Sequence, residues 1–125
     1  MTERSHVAKI LIIDDEQPIL TMYGDALTGH DVVTASNGEE GLEKAEKEEP
    51  DIILLDIIMP KMNGLDVLEK LKSNKTTADI PVIMLTNLPE EASADKAKAS
   101  GAAEYFVKAE FEPEKLATKV TELLS

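Results

Sequence analysis

The chain has 125 residues, 13 Lys+Arg against 25 Asp+Glu, and neither cysteine nor tryptophan. That length suits one domain with one core, and a net charge of −12 argues against nucleic acid or an anionic membrane as a direct partner, since phosphates repel such a surface. Without cysteine there are no disulfides, thiolate metal sites, iron–sulfur clusters or cysteine nucleophiles.

No apolar run approaches the roughly 20 residues of a membrane helix, and the start Met1-Thr2-Glu3-Arg4-Ser5-His6 lacks a signal-type hydrophobic stretch. The expectation is a tail over residues 1–6 followed by one soluble, acidic, cytoplasmic domain over 7–125. The acidity is uneven. Between Ile10 and Pro60 there are 13 acids and two bases, Lys44 and Lys47.

Lys9 to Ile13 is a short β-branched run cut off by Asp14-Asp15-Glu16, the pattern of a strand buried on both faces. Pro18 suits the first turn of a helix whose apolar face is Ile19, Leu20, Met22, Tyr23 and Leu27, weakened by Gly24 and ended by Thr28-Gly29-His30. Val32 to Ala35 predicts a second strand. Glu39 to Glu49 predicts a helix with Glu40–Lys44 and Glu43–Lys47 pairs, Leu42 and Ala45 facing inward.

After Pro50-Asp51, Ile52 to Leu55 forms a third apolar run, again ended by an acid, Asp56. Asn63-Gly64 opens a helix with Leu65, Leu68 and Leu71 on its core side. Ile80 to Thr86 is the fourth strand, with Pro81 near its start where proline is tolerated. Glu90 to Ser100 is an alanine-rich helix closed by Gly101, Tyr105 to Lys108 the fifth strand, and Pro113 the start of a last helix burying Leu116, Val120, Leu123 and Leu124. Phe106 and Phe111 are expected in the core.

Five β-α units joined by short connections predict an α/β fold: a doubly wound, five-stranded parallel sheet, (βα)5, with strand order 2-1-3-4-5. In such sheets ligands bind outside the carboxyl ends of the strands. Asp14, Asp15 and Glu16 lie there after the first strand, Asp56 after the third, Thr86 at the fourth and Lys108 at the fifth. Carboxylates brought together repel, and a divalent cation relieves them; oxygen donors alone favour Mg²⁺, with Mn²⁺ as the alternative. Helix capping is an even alternative for Asp14 or Asp15 taken singly. It does not explain a hydroxyl and an ammonium emerging at the same edge. A metal, a carboxylate, a hydroxyl and an ammonium together suit a phosphoryl group.

At this point the chain resembles the receiver domains of two-component response regulators, the CheY-like superfamily with its flavodoxin-like fold. The residues that carry the resemblance are Asp14-Asp15, Asp56, Met59-Pro60-Lys61-Met62-Asn63-Gly64, Thr86, and Tyr105 three residues before Lys108, with spacings of 41, 30 and 22 between Asp15, Asp56, Thr86 and Lys108. It extends from about Val7 to the C-terminus. The resemblance implies that Asp56 accepts a phosphoryl group from a phosphohistidine on a sensor histidine kinase or phosphotransfer protein. It implies Mg²⁺ bound by Asp15, Asp56 and the Ile58 carbonyl, with Asp14 acting through water. Lys108 and Thr86 would meet phosphoryl oxygens, and Thr86 and Tyr105 would form a switch that remodels the face of the fourth helix, fifth strand and fifth helix for a downstream protein. For Tyr105 the alternative is an ordinary surface aromatic. No site surrounds His6 or His30.

Self-phosphorylation and its slow reversal would be the chain's only chemistry. A dehalogenase-like phosphohydrolase would need a second Asp two residues after the nucleophile, where Ile58 stands, and a flavodoxin-type carrier a Ser/Thr/Gly-rich loop where Asp14-Asp15-Glu16 stands. A docking domain that kept an idle site is the remaining alternative. Four residues stand out against the family pattern. Ala109 replaces the usual proline after Lys108, leaving either a trans bond with an altered loop or a cis bond costing about 3–4 kcal/mol. Asn87 is larger than the usual residue after the switch threonine and is expected to narrow access. Ile58 and Leu88 offer no group to orient water, which predicts slow loss of the phosphoryl group. As it stands the chain is expected to act through protein contacts, as a monomer or a weak phosphorylation-promoted dimer, either alone or as the receiver of a longer protein.

Overall fold

The protein is described here by a computed structural model covering residues 7–110 and 112–124. Strands β1 (Lys9–Ile13), β2 (Asp31–Ala35), β3 (Ile52–Leu55), β4 (Val82–Thr86) and β5 (Glu104–Val107) alternate with helices α1 (Gln17–Ala26), α2 (Gly38–Glu48), α3 (Gly64–Ser73), α4 (Glu90–Ala99) and α5 (Pro113–Leu124). All strands are parallel in the order β2-β1-β3-β4-β5, as the alternation predicts.

The continuous apolar runs have the physical cause inferred for them. Every residue of β3 and β4 is buried, as are Ile10 to Ile13 of β1, because helices cover both faces. Alternation divides these strands between two half-cores. Leu11, Ile13, Ile53, Leu55, Val82, Met84 and Tyr105 lie on one face with Val67, Leu68 and Leu71 of α3 and Ala97 of α4. Ile10, Ile12, Ile52, Leu54, Ile83 and Leu85 lie on the other with Leu20, Tyr23 and Leu27, Leu116 and Val120. α1 packs beside α5, and α2 beside α3.

Helix ends follow local chemistry. The Asn37 side chain accepts from the Glu40 N–H at α2, and Asn63 accepts from the Leu65 N–H at α3. The Glu40–Lys44 pair forms at 3.1 Å; among the described residues the expected Glu43–Lys47 pair does not. Two apolar assignments need correction: Met22 and Leu124 are exposed, whereas Leu42 packs partly buried against the core, as expected. A helical stripe read from sequence is wider than the strip the sheet covers, so its margins face water. Val67, not singled out from sequence, is fully buried beside Leu68. Phe106 is half-buried under the Lys119 ammonium, 5.8 Å from its ring, while Phe111, like the tail 1–6 with His6, lies outside the described residues. No described helix is long and apolar enough to cross a membrane.

Met59-Pro60-Lys61-Met62-Asn63-Gly64 turns the chain from β3 into α3 in so little space that Gly64 touches the strand it has left. Its N–H donates to the Ile57 carbonyl at 2.8 Å. A Cβ on Gly64 would lie 1.9 Å from the Asp56 carbonyl oxygen and 2.6 Å from the Ile57 Cα. Gly24, in α1, has nothing within 4 Å of the same point. Gly64→Ala is therefore expected to cost about 3 kcal/mol or more in urea unfolding, as backbone cannot yield like a side chain. Gly24→Ala is expected to add roughly 0.5–1 kcal/mol.

Candidate functional site

The acidic residues are held at the carboxyl edge of the sheet by its own ladder. The Asp14 N–H donates to the Ala35 carbonyl and the Asp56 N–H to the Ile13 carbonyl, each at 3.0 Å, so both residues prolong the strand pairing before the chain turns away. Strand order makes β1 and β3 neighbours and sets Thr86, at the end of β4, next in line. Lys108 follows β5 directly, in a 3₁₀ turn over Lys108–Glu110. The peptide bond to Ala109 is trans, and the lysine reaches the edge without a cis bond.

Reach it does. The Lys108 ammonium stands 2.6 Å from Asp14 Oδ2, 3.2 Å from Asp56 Oδ2 and 3.2 Å from Glu16 Oε1, with its side chain 5% exposed. The second oxygens of the aspartates are also engaged: Asp14 Oδ1 accepts from the Glu16 N–H at 2.9 Å and Asp56 Oδ1 from the Ile57 N–H at 2.7 Å. Burial works hardest against charge on Lys108, yet Asp14 and Asp56 outweigh it and hold the ammonium above the ordinary lysine range. For Asp14 the balance falls the other way. Burial pushes its carboxyl up, and the Lys108 contact and the Glu16 N–H only partly offset this. The two results are consistent, because one cation is divided among several anions.

Asp14, Asp15 and Asp56 each offer one oxygen that lies within 4.8 Å of the others, with Asp15 the exposed member. A set of hard oxygen donors with no nitrogen or sulfur fits Mg²⁺. A cleft of about 230 Å³ opens over the group, lined by Asp15, Glu16, Asp56, Ile58, Thr86, Asn87 and Lys108. Ile58 is exposed at its rim, whereas Leu88 turns against the core. Thr86 is buried, its hydroxyl near the Leu88 N–H at 3.5 Å.

Tyr105 is buried, which removes the surface-aromatic alternative. Its hydroxyl donates to the Leu88 carbonyl at 3.0 Å and accepts from the Ser93 hydroxyl at 2.6 Å, joining β5, α4 and the loop between β4 and α4. Two participants carried no assigned role in the sequence. Glu16 stood beside the paired aspartates, and its position there is the signal that could have marked it. Ser93 sits unmarked in an alanine-rich helix, and only the fold sets it against a residue twelve positions later. His30, as expected, stands apart, accepting from the Ala8 N–H at 2.9 Å.

Comparison with known proteins agrees with this geometry. The family model described as the response regulator receiver domain matches residues 10–121. The alkaline phosphatase synthesis transcriptional regulatory protein PhoP of Bacillus subtilis is 41% identical over 118 residues, covering 93% of this chain and 48% of that protein. Protein PilH of Pseudomonas aeruginosa is 36% identical over 104 residues, 82% of this chain and 86% of its own. The chain thus spans about half the length of the first curated relatives it matches. Among solved structures, the Vibrio cholerae chemotaxis protein CheY4 superposes with a TM-score of 0.87 at 33% identity, over 94% of this chain and 99% of that one.

The raised Asp14 pKa has a defined sign. A carboxyl held above its unfolded value binds its proton more tightly in the folded state, so its charge costs stability at neutral pH and the cost fades as pH falls through the folded pKa. Asp14→Asn is therefore expected to raise the metal-free Tm at pH 7, with the gain shrinking toward pH 4. Paired melting curves across that range check it; a lower Tm at pH 7 would contradict the reading of Asp14.

Proposed function

Because the chain belongs to the response regulator receiver domain family, we propose that Asp56 accepts a phosphoryl group from a histidine kinase or phosphotransfer protein and that the molecule is a cytoplasmic signalling module. The observation that carries this is the Asp56 carboxylate in the cleft beside the Lys108 ammonium, one oxygen 3.2 Å from Nζ and the other oriented by the Ile57 N–H. A carboxylate oxygen attacks phosphorus in line, a P–O bond forms as the P–N bond to the donor imidazole breaks, and the imidazole keeps the electron pair and is protonated. Such a transfer asks of the protein mainly positioning and neutralised charge.

Mg²⁺ held by Asp15, Asp56 and the Ile58 carbonyl, with Asp14 through water, would supply the second positive charge beside Lys108. Lys108 neutralises one phosphoryl oxygen and Thr86 hydrogen-bonds another. Thr86 closes β4, and the Leu88 carbonyl two residues on is the acceptor of Tyr105, so movement of Thr86 is felt on the α4–β5–α5 face where a downstream protein docks. Whether this face serves a monomer or a phosphorylation-promoted dimer is read out by the oligomeric state before and after loading. Ile58 and Leu88 would offer no group to orient water at the loaded aspartate, since Ile58 is aliphatic and Leu88 packs on the core.

Incubation with acetyl phosphate and Mg²⁺ is expected to add one phosphoryl mass to the intact protein, with acyl phosphate on Asp56. Asp56→Asn and chelation by EDTA should each abolish it. Addition that persists in Asp56→Asn would overturn the assignment. Ile58→Gln, which places a carboxamide at the rim of the cleft, is expected to shorten the phosphoryl half-life severalfold, followed by phosphate release; an unchanged half-life would remove Ile58 as the cause of slow hydrolysis.

A further inference from the structure

An ammonium has three N–H groups, and that of Lys108 meets three carboxylates: Asp14, Asp56 and Glu16. Its donor capacity is taken up, so a phosphoryl oxygen that pairs with Lys108 enters in competition with them. Asp14 is held at 2.6 Å with its side chain 3% exposed, and its other oxygen is tied to the Glu16 N–H. Releasing it would strand a buried charge. Asp56 would itself carry the phosphoryl group. Glu16 differs from both, because its side chain is 54% exposed and its carboxylate returns to water at little desolvation cost.

We infer that Glu16 is a positioning residue whose carboxylate occupies, on Lys108, the place that a phosphoryl oxygen takes on loading. The inference rests on the reading of Asp56 as phosphoacceptor. Before loading, Glu16 completes the coordination of a buried cation and keeps its Nζ at the cleft, which Glu16 itself lines. During loading it competes for that cation, and its negative charge opposes the entering anion. The apparent affinity of the site for a phosphoryl group is thus set partly by a residue that never touches phosphorus.

Beryllofluoride is the probe, titrated with saturating Mg²⁺ into wild-type protein, Glu16→Gln and Glu39→Gln, with the Thr86 amide followed by NMR. Glu39 is exposed at the first turn of α2 and removes an equal charge without contact to Lys108. Glu16→Gln is expected to lower the half-saturating concentration about two- to fivefold, the range an exposed ion pair supports, while Glu39→Gln stays at the wild-type value. Disruption of the site would weaken binding, so tightening distinguishes competition from a structural role. Equal or weaker binding by Glu16→Gln, or equal tightening by Glu39→Gln, overturns the inference and leaves the phosphoacceptor reading intact. A wild type that takes up no beryllofluoride overturns both.

Discussion

One ammonium buried among carboxylates is the constraint on which the rest of the structure depends. Lys108 has to balance Asp14 and Asp56 where water scarcely reaches, and Glu16 is drawn in from the surface to complete the set. Removing the cation would leave uncompensated buried charge. Burial holds the Asp14 carboxyl above its ordinary range, and the Lys108 contact and the Glu16 N–H offset this only in part. Asp14, Asp15 and Asp56 offer oxygen donors within 4.8 Å of one another, a group that could hold a metal ion.

Like charges can be kept this close only on a rigid base, and the parallel sheet provides it. Burial on both faces locks β1, β3 and β4, and the ladder runs one residue beyond the strands to fix Asp14 and Asp56 by their backbones. Gly64 then pins the loop that follows Asp56, since any side chain there would push α3 off the strand end. The same packing that stabilises the core therefore sets the distances within the cleft.

The other side of the site is joined to the helix layer by a few hydrogen bonds. Tyr105 is held through two hydroxyl contacts, to the Leu88 carbonyl and to Ser93. Leu88 lies two residues from Thr86, so a short stretch of backbone links the cleft to α4. Hydrogen bonds of this kind contribute about 1 kcal/mol each, few enough for one binding event to rearrange.

Length, acidity and the alternation of apolar runs with amphipathic stretches determined the parallel sheet, because a strand covered on both faces has no polar side to show. Sequence also marked Asp14, Asp15, Asp56, Thr86 and Lys108, since polar residues that end such runs must gather at one edge. The widths of the helical stripes were less legible: Met22 and Leu124 share the apolar period yet lie beyond what the sheet covers. Only the tertiary structure decided that Lys108 serves Glu16 as well as the aspartates, and that Ser93 holds Tyr105. Those pairings join residues 92 and 12 positions apart across different elements. Periodicity places a residue on a face or at an edge; the partner of its charged or hydroxyl group is set by how neighbouring elements pack.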